Sequence, residues 1–149
     1  MLEPEFRDIL KSFNQAGVEY LVVGAYALAG HGLPRATMDL DLWIRRAPEN
    51  ATRVIKALAA FGAPRHVATR QDLLNPDMRV QVGVEPVRVD ILMSISGVDF
   101  DSAYAARLTI AMGDVVMPIL DREHLLANKR ASGRTKDLVD VEWLEQHEG

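Results

Sequence analysis

Two aspartates stand one residue apart in an otherwise apolar run, Met38-Asp39-Leu40-Asp41-Leu42-Trp43-Ile44. Side chains alternate across a strand, so Asp39 and Asp41 share one face while Leu40, Leu42 and Ile44 take the other. Flanks this apolar favour a buried strand over an exposed edge, and an uncompensated buried carboxylate is costly. The pair therefore calls for a positive partner. Hard divalent cations, Mg²⁺ or Mn²⁺, take oxygen ligands: a few carboxylates, water and the phosphate of a substrate. Upstream, Tyr20-Leu21-Val22-Val23 has the length and β-branched content of a buried strand. It runs into Gly24-Ala25, and a short apolar helix to Gly30 follows before Gly32-Leu33-Pro34 breaks it. Free backbone N–H groups at the start of a helix can hold an anion. This order of elements sets a metal and a phosphate side by side.

Gly24-Ala25, thirteen residues, and then Asp39-Leu40-Asp41-Leu42 resembles the signature of the polymerase-beta-type nucleotidyltransferase superfamily. Ala25 stands where that signature carries Gly or Ser; it is small enough for close backbone approach and brings no hydroxyl. In the superfamily a third carboxylate lies on a strand beside the Asp-x-Asp strand, and Asp90 in Val87-Arg88-Val89-Asp90-Ile91-Leu92 resembles it. The stretch from Asn128 to Asp140, NKRASGRTKDLVD, resembles the K…GR…KD…D segment of small bacterial nucleotidyltransferase-fold proteins related to AbiEii-type toxins.

The resemblance implies an α/β nucleotidyltransferase fold: a mixed sheet with packed helices and a C-terminal helical pair closing the cleft. It implies Asp39, Asp41 and Asp90 as the catalytic triad that holds Mg (or Mn), and Gly24 and Ala25 amides at the β- and γ-phosphates of an NTP. Lys129 would offset the remaining charge, with Arg134 as a further phosphate contact. The implied reaction moves an NMP to an acceptor hydroxyl, an RNA or tRNA end or a protein, and releases pyrophosphate. A toxin–antitoxin role, a cognate partner protein or a homodimer would go with it. The alternative from another class is a catalytically silent fold that serves as a binding or antitoxin-like partner. Three clustered acids argue against it, since a binding module has no use for their repulsion.

The residues themselves add candidates and competitors. Leu125 lies four residues before Lys129, on the same helix face, which aims Lys129 toward the body of the protein. Arg35, in the loop just before the Asp-x-Asp strand, is a candidate for phosphate contact. Asp90 has a structural competitor, an ion pair with Arg88 or another arginine. His31 is an incidental loop residue, and the four histidines have no metal-ligand spacing. Tyr26 and Trp43 are packing residues.

The rest of the chain must position these groups. Phe6, Ile9, Leu10 and Phe13 predict an amphipathic helix over 5–16. A second helix is predicted from Ala47-Pro48-Glu49 to Phe61, with Val54, Ile55, Leu58 and Phe61 inward and Gly62 ending it. Residues 78–84 and 87–92 alternate around a short turn and predict an antiparallel hairpin that carries Asp90. A helix over 99–107 and a hairpin around Gly113-Asp114 follow. Asp121 and Thr135 are predicted N-caps of the helical pair, and Leu138, Val141, Trp143 and Leu144 the inward face of its second member.

With 149 residues the chain reads as one domain, core about 1–119 and helical pair about 120–149. A net charge of -4 excludes a surface that binds nucleic acid everywhere; RNA would need a local basic patch. The absence of cysteine excludes disulfides, thiolate catalysis and cysteine zinc sites. No apolar run is long enough for a membrane helix, and the opening MLEPEFRD is too acidic for a secretory signal. A cytoplasmic location is expected.

Overall fold

A computed structural model describes residues 2–33, 39–84 and 87–147. Helix α1 (Pro4–Gln15) starts on a proline, whose missing N–H costs nothing in a first turn, and it buries Phe6, Ile9, Leu10 and Phe13 as their spacing requires. Strand β1 (Tyr20–Val23) is buried throughout, and helix α2 (Gly24–Gly30) begins immediately after its last residue. Strand β2 (Asp39–Ile44) returns antiparallel to β1. Helix α3 (Pro48–Phe61) and the short α4 (Arg70–Leu74) then carry the chain across the sheet. Strands β3 (Arg79–Val84) and β4 (Val87–Leu92) form the predicted antiparallel hairpin, with β4 parallel to β2. Helix α5 (Phe100–Ala105), the antiparallel pair β5 (Leu108–Met112) and β6 (Val115–Ile119), and helices α6 (Arg122–Ser132) and α7 (Thr135–Gln146) complete the order.

Among the described residues the strands make one mixed sheet in the order β3-β4-β2-β1-β6-β5. β2 is therefore central. Its even residues, Leu40, Leu42 and Ile44, join Tyr20, Val22, Val80, Val89 and Ile91 in a core covered by α1 and α3. Its odd residues face a second apolar cluster in which Leu21, Val23 and Trp43 meet Leu28, Leu125, Leu126, Val141 and Leu144. Strand alternation has split the sheet into a purely apolar face and a face that can also carry chemistry. No helix among the described residues is long and apolar enough to cross a membrane.

One buried polar side chain holds the central strands in place. Asn50, on α3, accepts from the Glu19 N–H at 2.8 Å and donates to the Glu19 and Arg45 carbonyls at 3.0 and 2.9 Å. It thus ties the residue before β1 to the residue after β2. Asn50→Ala leaves the Glu19 N–H without its partner, while the Glu19 and Arg45 carbonyls keep the bonds they accept from the Arg45 and Ala47 N–H groups. The expected cost is about 1–3 kcal/mol. It should appear as a lower urea midpoint at unchanged m value.

The helical pair departs from its predicted detail in three places. Asp121 occupies the N-cap position of α6 but makes no capping bond; its carboxylate instead bonds His124 Nδ1. Arg134, not Thr135, is the N-cap residue of α7. Leu138 is 51% exposed, because the inward register of α7 is Asp137, Asp140, Val141 and Leu144.

Candidate active site

Register decides which side chains meet. Asp41 lies opposite Val23 on β1 and opposite Asp90 on β4, and Asp39 lies opposite Arg88. Directly paired residues share a face. Asp39, Asp41, Arg88 and Asp90 therefore project together, and β3 adds Gln81 opposite Asp90 and Arg79 opposite Leu92.

The three carboxylates have different surroundings. Asp90 is buried, and its Oδ1 has no hydrogen-bond partner. The expected competitor, an Arg88–Asp90 ion pair, is not what forms: Arg88 Nε donates to Asp39 Oδ1 at 3.3 Å. Asp41 sits between them. Burial, then the negative charge of Asp90 and more weakly that of Asp39, push its carboxyl up to about 6, against the pull of Arg79 and Lys129.

Gly24 closes the other side. Its φ is +68°, a conformation that favours glycine, and a Cβ built on it would collide with the Asp41 carboxylate. The start of α2 is thus in contact with Asp41.

The phosphate candidates of the C-terminal pair arrive as a cluster. Lys129, in the last turn of α6, is buried and lies 3.2 Å from both Asp137 Oδ1 and Asp140 Oδ2. Arg134 Nε donates to Asp137 Oδ2 at 2.7 Å. Burial draws the Lys129 ammonium below its ordinary value, and Asp137 opposes that fall.

These groups line one two-lobed cleft. The larger lobe, about 380 Å³, includes Gly24, Asp41, Arg79, Ser94, Asn128, Lys129 and Arg134. The smaller, about 180 Å³, shares Gly24, Asp41, Lys129 and Arg134 and adds Ala25, Asp39, Lys136 and Asp140. Asp90 lies beside Asp41 on the neighbouring strand. The structure thus brings together Gly24, Ala25, Asp39, Asp41, Asp90, Lys129 and Arg134. Arg35 lies outside the described residues.

As the side chains stand, no three acidic or imidazole groups among the described residues converge to hold a metal ion. Asp39 is engaged by Arg88 at 3.3 Å. The donor chemistry nevertheless fits a hard cation. Asp41 and Asp90 lie abreast, one Asp90 oxygen is buried without a partner, and the carboxyl of Asp41, raised by burial and then by repulsion from Asp90, is one whose charge a cation would stabilise. Asp39 would join them by exchanging Arg88 for the metal.

No protein-family model and no curated protein matches the sequence. Solved structures do match. A Thermotoga maritima protein provisionally assigned as a nucleotidyltransferase aligns with a TM-score of 0.63 at 17% identity, over 98% of this chain and 96% of its own. LnuA, a lincosamide antibiotic adenylyltransferase solved with lincomycin bound, aligns with a TM-score of 0.61 at 16% identity, over 99% of both chains. The chain has the nucleotidyltransferase fold. Within that fold, the two acids of the KD…D stretch, to which the sequence reading gave no site role, are buried carboxylates. Asp137 and Asp140 are 0% and 1% exposed. Their signal was present: Asp137, Asp140, Val141 and Leu144 fall at i, i+3, i+4 and i+7, an inward helical register in which two positions are acidic. Arg79 was missed because β3 was read only for its alternation.

Proposed function

We propose that this chain is a metal-dependent nucleotidyltransferase that moves an NMP from an NTP to an acceptor hydroxyl on RNA or protein. The observation that carries the reading is the buried, unpartnered oxygen of Asp90 beside the raised carboxyl of Asp41, at the point where Gly24 meets that carboxylate. The fold supports it, as does a cleft that sets Lys129, Arg134 and Lys136 within reach of the same carboxylates.

In this reading Asp41 and Asp90, with Asp39, hold Mg²⁺ or Mn²⁺. The ion, when bound, neutralises charge that develops on the triphosphate and eases deprotonation of the acceptor. The chain's own residues do the rest. Gly24 and Ala25 let the backbone approach the phosphates. Lys129 offers a fixed donor to the β- and γ-phosphate oxygens, where negative charge accumulates as pyrophosphate leaves. Asp90, on the acceptor side, takes the proton of the attacking hydroxyl. No covalent enzyme intermediate is required, consistent with the absence of cysteine. A toxin–antitoxin role, with a cognate partner protein or a homodimer completing acceptor recognition in the cytoplasm, goes with the resemblance to AbiEii-related proteins.

The test is a labelling assay. The protein, with Mg²⁺ or Mn²⁺, meets each α-³²P-NTP together with bacterial RNA, bacterial protein or lincomycin as acceptor. Label that moves to an acceptor, and fails to move with Asp39→Ala/Asp41→Ala, is the expected result. No transfer to any acceptor, together with no metal-dependent NTP binding, would leave a silent fold acting through a partner.

A further inference from the structure

Resting on the nucleotidyltransferase reading, we propose that Asp137 and Asp140 are positioning residues that hold the Lys129 ammonium at the wall of the triphosphate cleft. An ammonium has three donors. Asp137 Oδ1 accepts a hydrogen bond from Nζ at 3.2 Å, and Asp140 Oδ2 forms an ion pair with it at 3.2 Å. Lys129 lines both lobes of the cleft, so its ammonium borders the space a triphosphate would fill. Asp137 is itself held, since Arg134 Nε donates to its other oxygen at 2.7 Å. The order Arg134–Asp137–Lys129–Asp140 alternates in sign and fixes the lysine from two sides.

A purely structural purpose explains this cluster poorly. Buried ion pairs stabilise little compared with apolar residues of similar volume, because desolvation consumes most of the attraction. Val141 and Leu144 already pin α7 with apolar contacts in the same inward register. Placing two acids and a lysine at the cleft wall is useful if the lysine must be charged and immobile there. A free lysine side chain carries about 2 kcal/mol of rotamer entropy that a ligand would have to overcome. The two carboxylates remove that freedom in advance, and Asp137 counters the burial that disfavours the ammonium.

The experiment uses the full chain and inorganic triphosphate as probe. Calorimetry gives its affinity for wild type, Lys129→Met, Asp140→Asn and the double variant, and NMR follows the Lys129 side-chain signal. Lys129→Met and Asp140→Asn should each weaken binding about 10- to 100-fold, the effect of one charge-assisted hydrogen bond. The double variant should bind no more weakly than Lys129→Met, since Asp140 acts through Lys129. The Lys129 signal should move on triphosphate addition in wild type and move less in Asp140→Asn. Should Asp140→Asn not fold, Asp140→Glu is measured in its place: it keeps the charge, shifts it by one methylene, and should bind more weakly than wild type. Wild-type affinity in the folded Asp140 variant, or losses that multiply in the double variant, would overturn the positioning role while leaving the enzymatic reading intact. A wild-type chain that binds neither triphosphate nor any NTP would overturn both.

Discussion

Asp41→Asn is expected to cut metal-dependent nucleotide transfer steeply and, without metal, to make the chain more stable at neutral pH. The two effects have one cause. Asp41 is charged in a place that disfavours charge: it is largely buried and faces Asp90. Its carboxyl is pushed up to about 6. An acid raised in the native state binds more protons folded than unfolded, so its contribution to stability falls as pH rises from about 4 to about 6. At pH 7 the charge costs on the order of 1–3 kcal/mol, which the amide does not incur. The melting-temperature gain of Asp41→Asn over wild type should therefore be small at pH 4 and larger at pH 7. An equal gain at both values would sink the electrostatic account. Mg²⁺ should reverse the order, stabilising wild type by binding the native carboxylates and leaving the variant unchanged. Protons compete for the same oxygens, so this metal stabilisation should fade below about pH 6. Transfer should drop by about 10³-fold, the effect of losing several kcal/mol of charge stabilisation at the phosphates. Transfer by Asp41→Asn at near wild-type rate would remove Asp41 from the reaction altogether.

The central architecture could be read directly from apolar patterning. Tyr20–Val23 and the residues after Gly24 form the elements their composition predicts, and the hairpin that carries Asp90 follows from strict alternation. Sharing of a face by Asp39 and Asp41 is dictated by strand geometry alone. Pairing of Asp41 with Asp90 is a matter of register between strands separated by two helices and a third strand, and here the resemblance supplied what periodicity does not contain. The helical pair was harder because hydrophobicity marks a buried face only when that face is apolar. Asp137 and Asp140 are buried by virtue of Lys129 and Arg134, partners from other turns, so α7 was rotated toward Leu138 in the reading. The same limit applies to Arg88. Its neighbour two residues on is Asp90, yet the carboxylate it engages is Asp39, reached only through the parallel register of β2 and β4.

Gly24→Ala should separate the site from the fold. The methyl group meets two obstacles of different kinds. One is the backbone, since φ is +68° and an L-residue there costs about 1–2 kcal/mol. The other is the Asp41 carboxylate, the mobile end of a side chain, which can turn aside at little cost to stability. Turning aside removes it from Asp90 and from any metal they share. Displacement of a reacting group by about 1 Å is enough to cost about 100-fold in rate. Gly62 supplies the control. It follows α3 at φ +98°, with nothing within 4 Å of an added Cβ. Gly62→Ala therefore carries the backbone strain without touching the carboxylates. The two variants should lose similar stability in urea unfolding, while only Gly24→Ala should lose transfer and the stabilisation by Mg²⁺. Equal activity in both would mean that the contact between Gly24 and Asp41 serves packing alone. A loss confined to Gly24→Ala would tie the first turn of α2 to the chemistry, because a single methyl group would have displaced Asp41 without unfolding what holds it.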